Sequence, residues 1–388
     1  MTTHIGRPQP AAELFVQSVP AELSIVVPTY NEVANVPVLV DAVARALPGV
    51  RWELVFVDDN SPDDTAGLVR ALAQTDPRVR VVHRFGRRGL SSACVEGIMA
   101  TAAPFVAVMD ADLQHDEAIL PAMLARLKAG DIDLVVGSRY VEGGGTGEWS
   151  RRREAMSRLA TRVAQRLTRT PIADPMSGFF MLTRDAFLQS LPNLSTVGFK
   201  ILLDIAASAP IPLRVAEVPY TFRNRRHGDS KLDSLVLWEY AQLLLDKTLG
   251  HLVPVRFISF AMVGGFGVVV HFAVLTAVLT SLLGLYGTGH ETRWFSIAQG
   301  AATLVATSNN FFLNNLLTYR DQRLKGVRLF WGWLSFNLVC GVGFLANVGV
   351  ARWLYAHHEF LVVSALAGIA VTTVWNYAMS AIFTWRRR

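Results

Sequence analysis

From Arg256 onward the chain passes through four stretches without a single Asp, Glu, Lys or Arg: Phe257 to His290, Phe295 to Tyr319, Leu329 to Ala351 and Phe360 to Trp385. Each is at least 23 residues long, and a helix rising about 1.5 Å per residue crosses a hydrocarbon core in about 20 residues. Four such runs leave too little polar surface for a water-soluble fold. The sequence therefore predicts four transmembrane helices, at about 257–284, 295–318, 329–354 and 360–385.

Charge divides the chain at Gly250. Before it stand 27 Lys and Arg against 28 Asp and Glu; after it stand 10 against 3. The basic excess thus sits in the apolar part, which speaks against a nucleic-acid partner and for a bilayer with an anionic inner leaflet. Arg256, Arg320, Arg323, Lys325, Arg328, Arg386, Arg387 and Arg388 fall on one side of the spans, Arg293 and Arg352 on the other. By the positive-inside rule both termini are cytoplasmic, together with everything before the first span. The first residues lack the apolar core of a signal peptide. Cys94 and Cys340 are too few for a disulfide framework and read as free thiols.

The membrane part carries an internal echo. Asn310-Phe311 followed by Thr318-Tyr319-Arg320 recurs, with the same spacing, as Asn376-Tyr377 followed by Thr384-Trp385-Arg386. Gly264-Gly265-Phe266 has a looser counterpart in Gly341-Val342-Gly343-Phe344. A duplicated two-helix hairpin follows, with small residues allowing close approach and Asn309, Asn310, Asn314, Asn315, Asn337, Asn347 and Asn376 available for bonds between helices. Those asparagines read first as packing residues, with a lipid or substrate path as the other reading, and the lone His271 reads as a packing residue rather than a ligand.

The first 250 residues alternate differently. Leu23–Pro28, Glu53–Asp58, Val79–His83, Phe105–Asp110 and Leu134–Ser138 are short apolar, β-branched runs, with helical segments near Asn35–Leu47, Asp63–Gln74, Leu90–Thr101 and Asp116–Ala129. This predicts an α/β, Rossmann-like domain with a mainly parallel sheet and its ligand at the carboxyl ends of the strands. Those ends carry Pro28-Thr29-Tyr30-Asn31-Glu32, Asp58-Asp59-Asn60-Ser61 and Asp110-Ala111-Asp112-Leu113-Gln114. Carboxylates alone repel a diphosphate, so the set makes chemical sense with a divalent cation, Mg²⁺ or Mn²⁺, between them. Asp110, Asp112 and Gln114 are its candidate ligands, the ion acting as Lewis acid on a departing phosphate.

VVPTYNE, VDDNSPDDT, MDADLQHD, GSRY, DPMSGFF, GFKILLDI and RNRRHGDSKL, in this order, resemble the family 2 glycosyltransferases of GT-A fold, and among them the dolichol- or polyprenol-phosphate mannosyltransferases. The four spans resemble the GtrA-like membrane domain fused to some members. Carried over by position, the resemblance implies nucleotide-sugar binding by Pro28, Tyr30, Glu32, Val57, Asp59, Asp110, Ala111 and Asp112. It implies a loop whose Arg225 and Lys231 close over the donor diphosphate. It also implies an acceptor-phosphate pocket of Arg139, Arg153 and Ser157, with Arg152 able to exchange roles with Arg153. Asp112, Arg139 and Arg153 are then the catalytic candidates. Asp64 stands where relatives usually have Gly, and GRRGLSSA varies a run of small residues.

The expected organisation is an N-terminal extension (1–22), a GT-A domain (23–232), an interface helix (233–250) and a GtrA-like domain (251–388). Within the GT-A domain, Met156, Leu159, Val163 and Leu167 recur at helical spacing beside Arg158, Arg162 and Arg166. A basic amphipathic helix lying in the headgroup layer, over about 154–170, follows from that pattern. The resemblance implies inverting transfer of mannose from GDP-mannose to polyprenyl phosphate at the bilayer. A UDP-sugar-dependent hexosyltransferase stays open beside it, as does a lipid-carrier flippase or scaffold with a degenerate catalytic domain. Oligomeric state stays open too, a homo-oligomer included.

Overall fold

The computed structural model describes residues 20–147, 151–168, 170–195, 198–223, 234–250, 253–287, 291–356 and 361–386. The chain forms two compact units, Met1–Lys231 and Leu232–Arg388.

The first unit begins as a run of strand–helix repeats: β1 (Leu23–Thr29), α1 (Val36–Ala46), β2 (Trp52–Asp58), α2 (Thr65–Ala73), β3 (Val79–His83), α3 (Leu90–Met99), β4 (Phe105–Val108), α4 (Leu120–Lys128) and β5 (Leu134–Ser138). It continues through α5 (Arg151–Leu167), β6 (Phe180–Thr183), α6 (Arg184–Ser190), α7 (Ile201–Ser208) and β7 (Val215–Pro219). The strands join in the order β3-β2-β1-β4-β6-β5-β7. β6 runs antiparallel to both β4 and β5; every other pairing is parallel.

Helices on both faces explain the near-continuous apolar strands. Successive side chains of a strand point to opposite faces. Ile25, Val27, Leu54 and Phe56 pack with Leu39 and Val43 of α1 and with Met123 and Leu124 of α4. Val26, Val55 and Val57 pack on the other face with Cys94 and Ile98 of α3, Phe187 of α6 and Leu202 of α7. Because β1, β2, β4 and β5 run the same way, the loops that follow them gather at one edge of the sheet. β6 and β7 were not among the strands expected from periodicity. They extend the sheet without moving that edge.

The second unit comprises α8 (Ser234–Leu249), α9 (Val255–Tyr286), α10 (Glu291–Leu313), α11 (Val327–Ala356) and α12 (Leu361–Met379). Among the described residues, α9 and the 327–345 part of α11 are long and apolar enough to cross a membrane.

The duplicated hairpin is visible in the backbone. Each copy ends in one wide π-helical turn, Asn314–Thr318 and Ser380–Thr384. The first closes with Tyr319 N–H to Asn314 C=O at 2.8 Å, the second with Trp385 N–H to Ser380 C=O at 2.9 Å. The two aromatic rings that follow stack on each other, centroids 4.2 Å apart and 1° from parallel. Glycine serves both copies alike. A Cβ on Gly267 would lie 2.3 Å from the Asn310 amide, and one on Gly343 would lie 2.3 Å from Asn376 Oδ1. The asparagines also join helices: Thr307 donates to Asn337 at 2.7 Å, and Trp385 Nε1 donates to Asn315 Oδ1 at 3.1 Å. Packing is the role this geometry gives Asn315 and Asn337.

Candidate active site

The edge that carries the candidate donor residues is built from two interlocked loops. Asp58, fully buried at the end of β2, accepts the Ser61 amide at 2.9 Å and the Ser61 hydroxyl. Ser61 in turn accepts the amide of Asn31 at 3.0 Å, tying the loop after β2 to the loop after β1. Asp63 repeats the stitch, accepting Val33 N–H at 3.1 Å and the Thr65 hydroxyl at 2.6 Å, while Thr65 Oγ1 accepts Glu32 N–H at 3.1 Å. Burial works against the Asp63 charge, yet the bonds from Thr65 and Val33 hold its carboxyl below the usual range. Pro28 and Val57 sit opposite each other in the β1–β2 ladder, and Tyr30 lies beneath the Arg88 guanidinium at 4.4 Å.

Asp59 is placed differently from a simple ligand. Its carboxylate accepts Arg84 Nε at 2.7 Å and Gly89 N–H at 2.8 Å. Arg84 is completely buried and also reaches Ser92 and Gly89 C=O. This ion pair anchors the loop from β3 to α3 against the donor edge.

Left-handed backbone recurs around this rim, at Asn31, Asn60, Asp64 and Leu113, all with φ between 55° and 61°. Asn and Asp tolerate that region; a leucine there is strained and persists only where its surroundings enforce it. Leu113 forms the turn between the two candidate metal ligands and Gln114. Gln114 N–H returns to Asp112 Oδ1 at 3.2 Å, and Asp110 N–H bonds His115 Nδ1 at 3.1 Å. The Gln114 side chain donates to Arg223 C=O at 2.9 Å, while its own carbonyl accepts Arg223 N–H at 2.9 Å. The aspartate turn is thereby tied to the segment leading towards Arg225 and Lys231.

Gly178 lets the floor come close, since a Cβ there would meet Asp110 Oδ2 at 3.0 Å. Two carboxylates and an amide oxygen are hard donors of the kind Mg²⁺ and Mn²⁺ take. Among the described residues no group of three His, Cys, Asp or Glu could hold a metal by itself. The residues fit an ion shared with a substrate's phosphates, the usual arrangement for Mg²⁺.

Arg139 directly follows β5. Its Nε and Nη2 donate to Asp174 at 2.7 and 2.8 Å, and its backbone N–H adds a third bond at 3.2 Å. Arg139 is 9% exposed and Asp174 is 0% exposed. Burial opposes the Arg139 charge, but Asp174 more than offsets it and raises the guanidinium pKa. Lys200 donates to Met176 C=O at 3.0 Å. Burial first, and Arg139 second, push its ammonium down to about 8, with Asp174 and Asp110 pulling the other way. His115 is 2% exposed and is driven by burial to about 4, so it is neutral. Tyr140 donates its hydroxyl to Ser157 Oγ at 2.8 Å, linking the Arg139 strand end to α5.

The structure therefore gathers Pro28 and Val57 at the ends of β1 and β2, Tyr30, Glu32, Asp59, Asp110, Ala111, Asp112, Gln114 and Arg139 on loops of the same sheet edge, and Ser157 on the helix tied to it. The side chains of Arg152 and Arg153, and all of Arg225 and Lys231, lie outside the described residues. Sequence reasoning did not single out Asp174, Lys200, His115 or Tyr140 as site residues. A charged residue inside an apolar run, as in Gly198-Phe199-Lys200-Ile201-Leu202-Leu203, was the signal available for Lys200.

A mostly parallel sheet with paired carboxylates after β4 and the cations of Arg139 and Lys200 near them, followed by membrane-type helices, defines a GT-A glycosyltransferase joined to a membrane domain. Residues 24–190 match the model for glycosyl transferase family 2, and residues 259–385 match that for the GtrA/DPMS transmembrane domain. Dolichol-phosphate mannosyltransferase of Pyrococcus furiosus is 33% identical over 371 residues, 94% of this chain and 99% of that protein. Its counterpart from Saccharomyces cerevisiae is 37% identical over 232 residues, covering 58% of this chain and 85% of that one. The chain belongs to the dolichol-phosphate mannosyltransferase family. A solved glucosyl-3-phosphoglycerate synthase from Mycobacterium tuberculosis, in complex with uridine-diphosphate, superposes over 60% of this chain and 81% of that one, at 22% identity and a TM-score of 0.43. No functional point rests on that likeness.

Proposed function

We propose that this protein transfers mannose from GDP-mannose to a polyprenyl phosphate of dolichyl type, with inversion, releasing GDP and polyprenyl phosphomannose. The observation that carries this reading is the convergence of carboxylates and cations after β4 and β5: Asp110 and Arg139 both act on the Lys200 ammonium, and Asp112, Arg139 and Lys200 all act on His115. A relative collinear with nearly the whole chain adds to it.

The acceptor is its own nucleophile. A phosphate monoester has a second pKa of about 6 and is largely dianionic at neutral pH, so little general base is needed. Catalysis then rests on positioning and electrostatics. Asp174 fixes the Arg139 fork and cancels most of its net charge, so Arg139 orients the acceptor phosphate. Lys200 and Arg153 supply the attraction. Ser157, held by Tyr140, adds a hydroxyl donor. On the donor side Pro28, Tyr30, Glu32, Val57, Asp59 and Ala111 shape the nucleotide pocket, and Arg225 and Lys231 close over the diphosphate. Asp110, Asp112 and Gln114 would hold the divalent cation, which when bound neutralises charge developing on the departing diphosphate.

The reading places this chemistry on the cytoplasmic face of a membrane crossed by four helices, α9 to α12. The distribution of Lys and Arg between the spans supports that orientation. α5 supports contact with the headgroup layer: Leu159 is 63% exposed beside the exposed side chains of Arg158, Arg162 and Arg166, while Thr161 and Ala164 face inward.

Purified protein given a short polyprenyl phosphate and labelled GDP-mannose or UDP-glucose tests the proposal. Lipid-linked mannose from GDP-mannose is the expected product. Label entering lipid from UDP-glucose alone would refute the mannose assignment, and no lipid product from either donor would favour a scaffold.

A further inference from the structure

His115 stands where the aspartate turn meets the aromatic interior. Its ring stacks on Phe179, centroids 5.1 Å apart at 15°, and takes the edges of Tyr220 and Phe222, each at 5.9 Å. Those contacts fix where the imidazole points. Nδ1 accepts the Asp110 amide at 3.1 Å, so that nitrogen carries no proton and the hydrogen sits on Nε2. Nε2 lies 3.8 Å from Asp110 Oδ2, which is beyond hydrogen-bond distance. What His115 supplies is thus a backbone acceptor, not a grip on the carboxylate.

That acceptor matters because of where the amide lies. Asp110 follows β4 after Met109, whose N–H makes the last bond to β1, at Val26 C=O. Past that point the loop turns through Leu113 at a φ of 61°. A strained left-handed leucine stays put only if the turn is held at both ends. The bond from Asp110 N–H to His115 closes the turn across its base, and the bond from Gln114 N–H to Asp112 closes it within.

We infer that His115 is a positioning residue: through Nδ1 it sets the backbone of the Asp110–Asp112 turn, and with it the direction of both carboxylates, from an aromatic box that does not itself touch the donor. The inference rests on the proposed donor site for its functional consequence, but not for its structural content.

Two variants separate the acceptor from the ring. His115→Phe keeps an aromatic ring against Phe179 and removes the acceptor. His115→Asn loses the ring but places Oδ1 where Nδ1 was. In the full-length, ligand-free protein, amide exchange of the 106–116 segment is measured first. It should speed up by about tenfold or more in His115→Phe and stay near wild type in His115→Asn. Calorimetric titration with GDP in the presence of Mn²⁺ should then show affinity about tenfold weaker in His115→Phe, within about threefold of wild type in His115→Asn, and unchanged affinity for a short polyprenyl phosphate in both. Equal loss in the two variants, or none in His115→Phe, overturns the inference. If wild-type protein takes up no GDP with Mn²⁺, the donor-site reading fails, while the exchange result still decides the role of His115.

Discussion

Asp174 receives both Nε and Nη2 of Arg139, at 2.7 and 2.8 Å, with the carboxylate fully buried and the guanidinium nearly so. A fork held this way is oriented before any phosphate arrives. Removing one partner leaves the other charge buried and unpaired, which costs about 3–5 kcal/mol. Asp174→Ala should therefore lower the melting temperature sharply, and Asp174→Asn should lower it less while raising the KM for polyprenyl phosphate about tenfold or more. Thermal unfolding in detergent together with acceptor kinetics checks both. Wild-type acceptor kinetics in Asp174→Asn would show that the pair is structural only.

Lys200 carries a stability cost that pH can reveal. Its pKa of about 8 in the folded chain lies below the ordinary 10.5, so the unfolded chain binds more protons between these values. Stability from this group therefore rises with pH across that window, and below pH about 8 the full penalty applies, on the order of 3 kcal/mol. Lys200→Met should be more stable than wild type at pH 7, lose that advantage as pH approaches 10, and transfer sugar poorly. Paired melting curves from pH 7 to 10 measure it. A difference that does not change with pH would contradict the buried-ammonium account.

Asp64 explains its own departure from the family pattern. Its φ is 60°, the conformation in which glycine pays no steric penalty, and a Cβ on Gly67 would lie 2.3 Å from its carboxylate. Asp64→Gly should leave stability unchanged or raise it by up to about 1 kcal/mol. Gly67→Ala should destabilise the wild type and be better tolerated in the Asp64→Gly background, as a double-mutant cycle would show. Additive effects would argue against the contact.

The duplicated hairpin makes a paired test. Gly267→Ala and Gly343→Ala each drive a methyl group into an asparagine, an overpacking worth about 1–3 kcal/mol. Gly264 and Gly341 have nothing within 4 Å of a built Cβ. Alanine at those two positions should be neutral in detergent melts, and alanine at the first two should not. Equal behaviour at all four would undo the repeat's packing logic.

The donor edge was legible because its signals are local. Apolar runs such as Leu23–Pro28 end directly in Tyr30-Asn31-Glu32 or Asp58-Asp59, and parallel strands put such ends together. β6 and β7 were not, for reasons of context. Phe180–Thr183 runs straight into a helix with no turn between, and β7 lies at the sheet edge, only partly buried. Asp174 escaped because its partner lies 35 residues away, and neither periodicity nor spacing reports a contact of that range. Asp59 stands out in the sequence as a candidate site residue, but not as the anchor of Arg84, which needs the fold to bring β3 alongside β2.

If the carboxylates after β4 work with a divalent cation against a sugar diphosphate, turnover depends on that ion and on Asp112. Initial rates of mannose transfer from GDP-mannose to polyprenyl phosphate, measured across a Mn²⁺ series after chelation, test it most directly in wild type and Asp112→Ala. The account expects chelated wild type to be inactive, Mn²⁺ or Mg²⁺ to restore it, and Asp112→Ala to fall by about 10³-fold or more. Turnover that ignores the chelator, or an Asp112→Ala variant working at the wild-type rate, would contradict it.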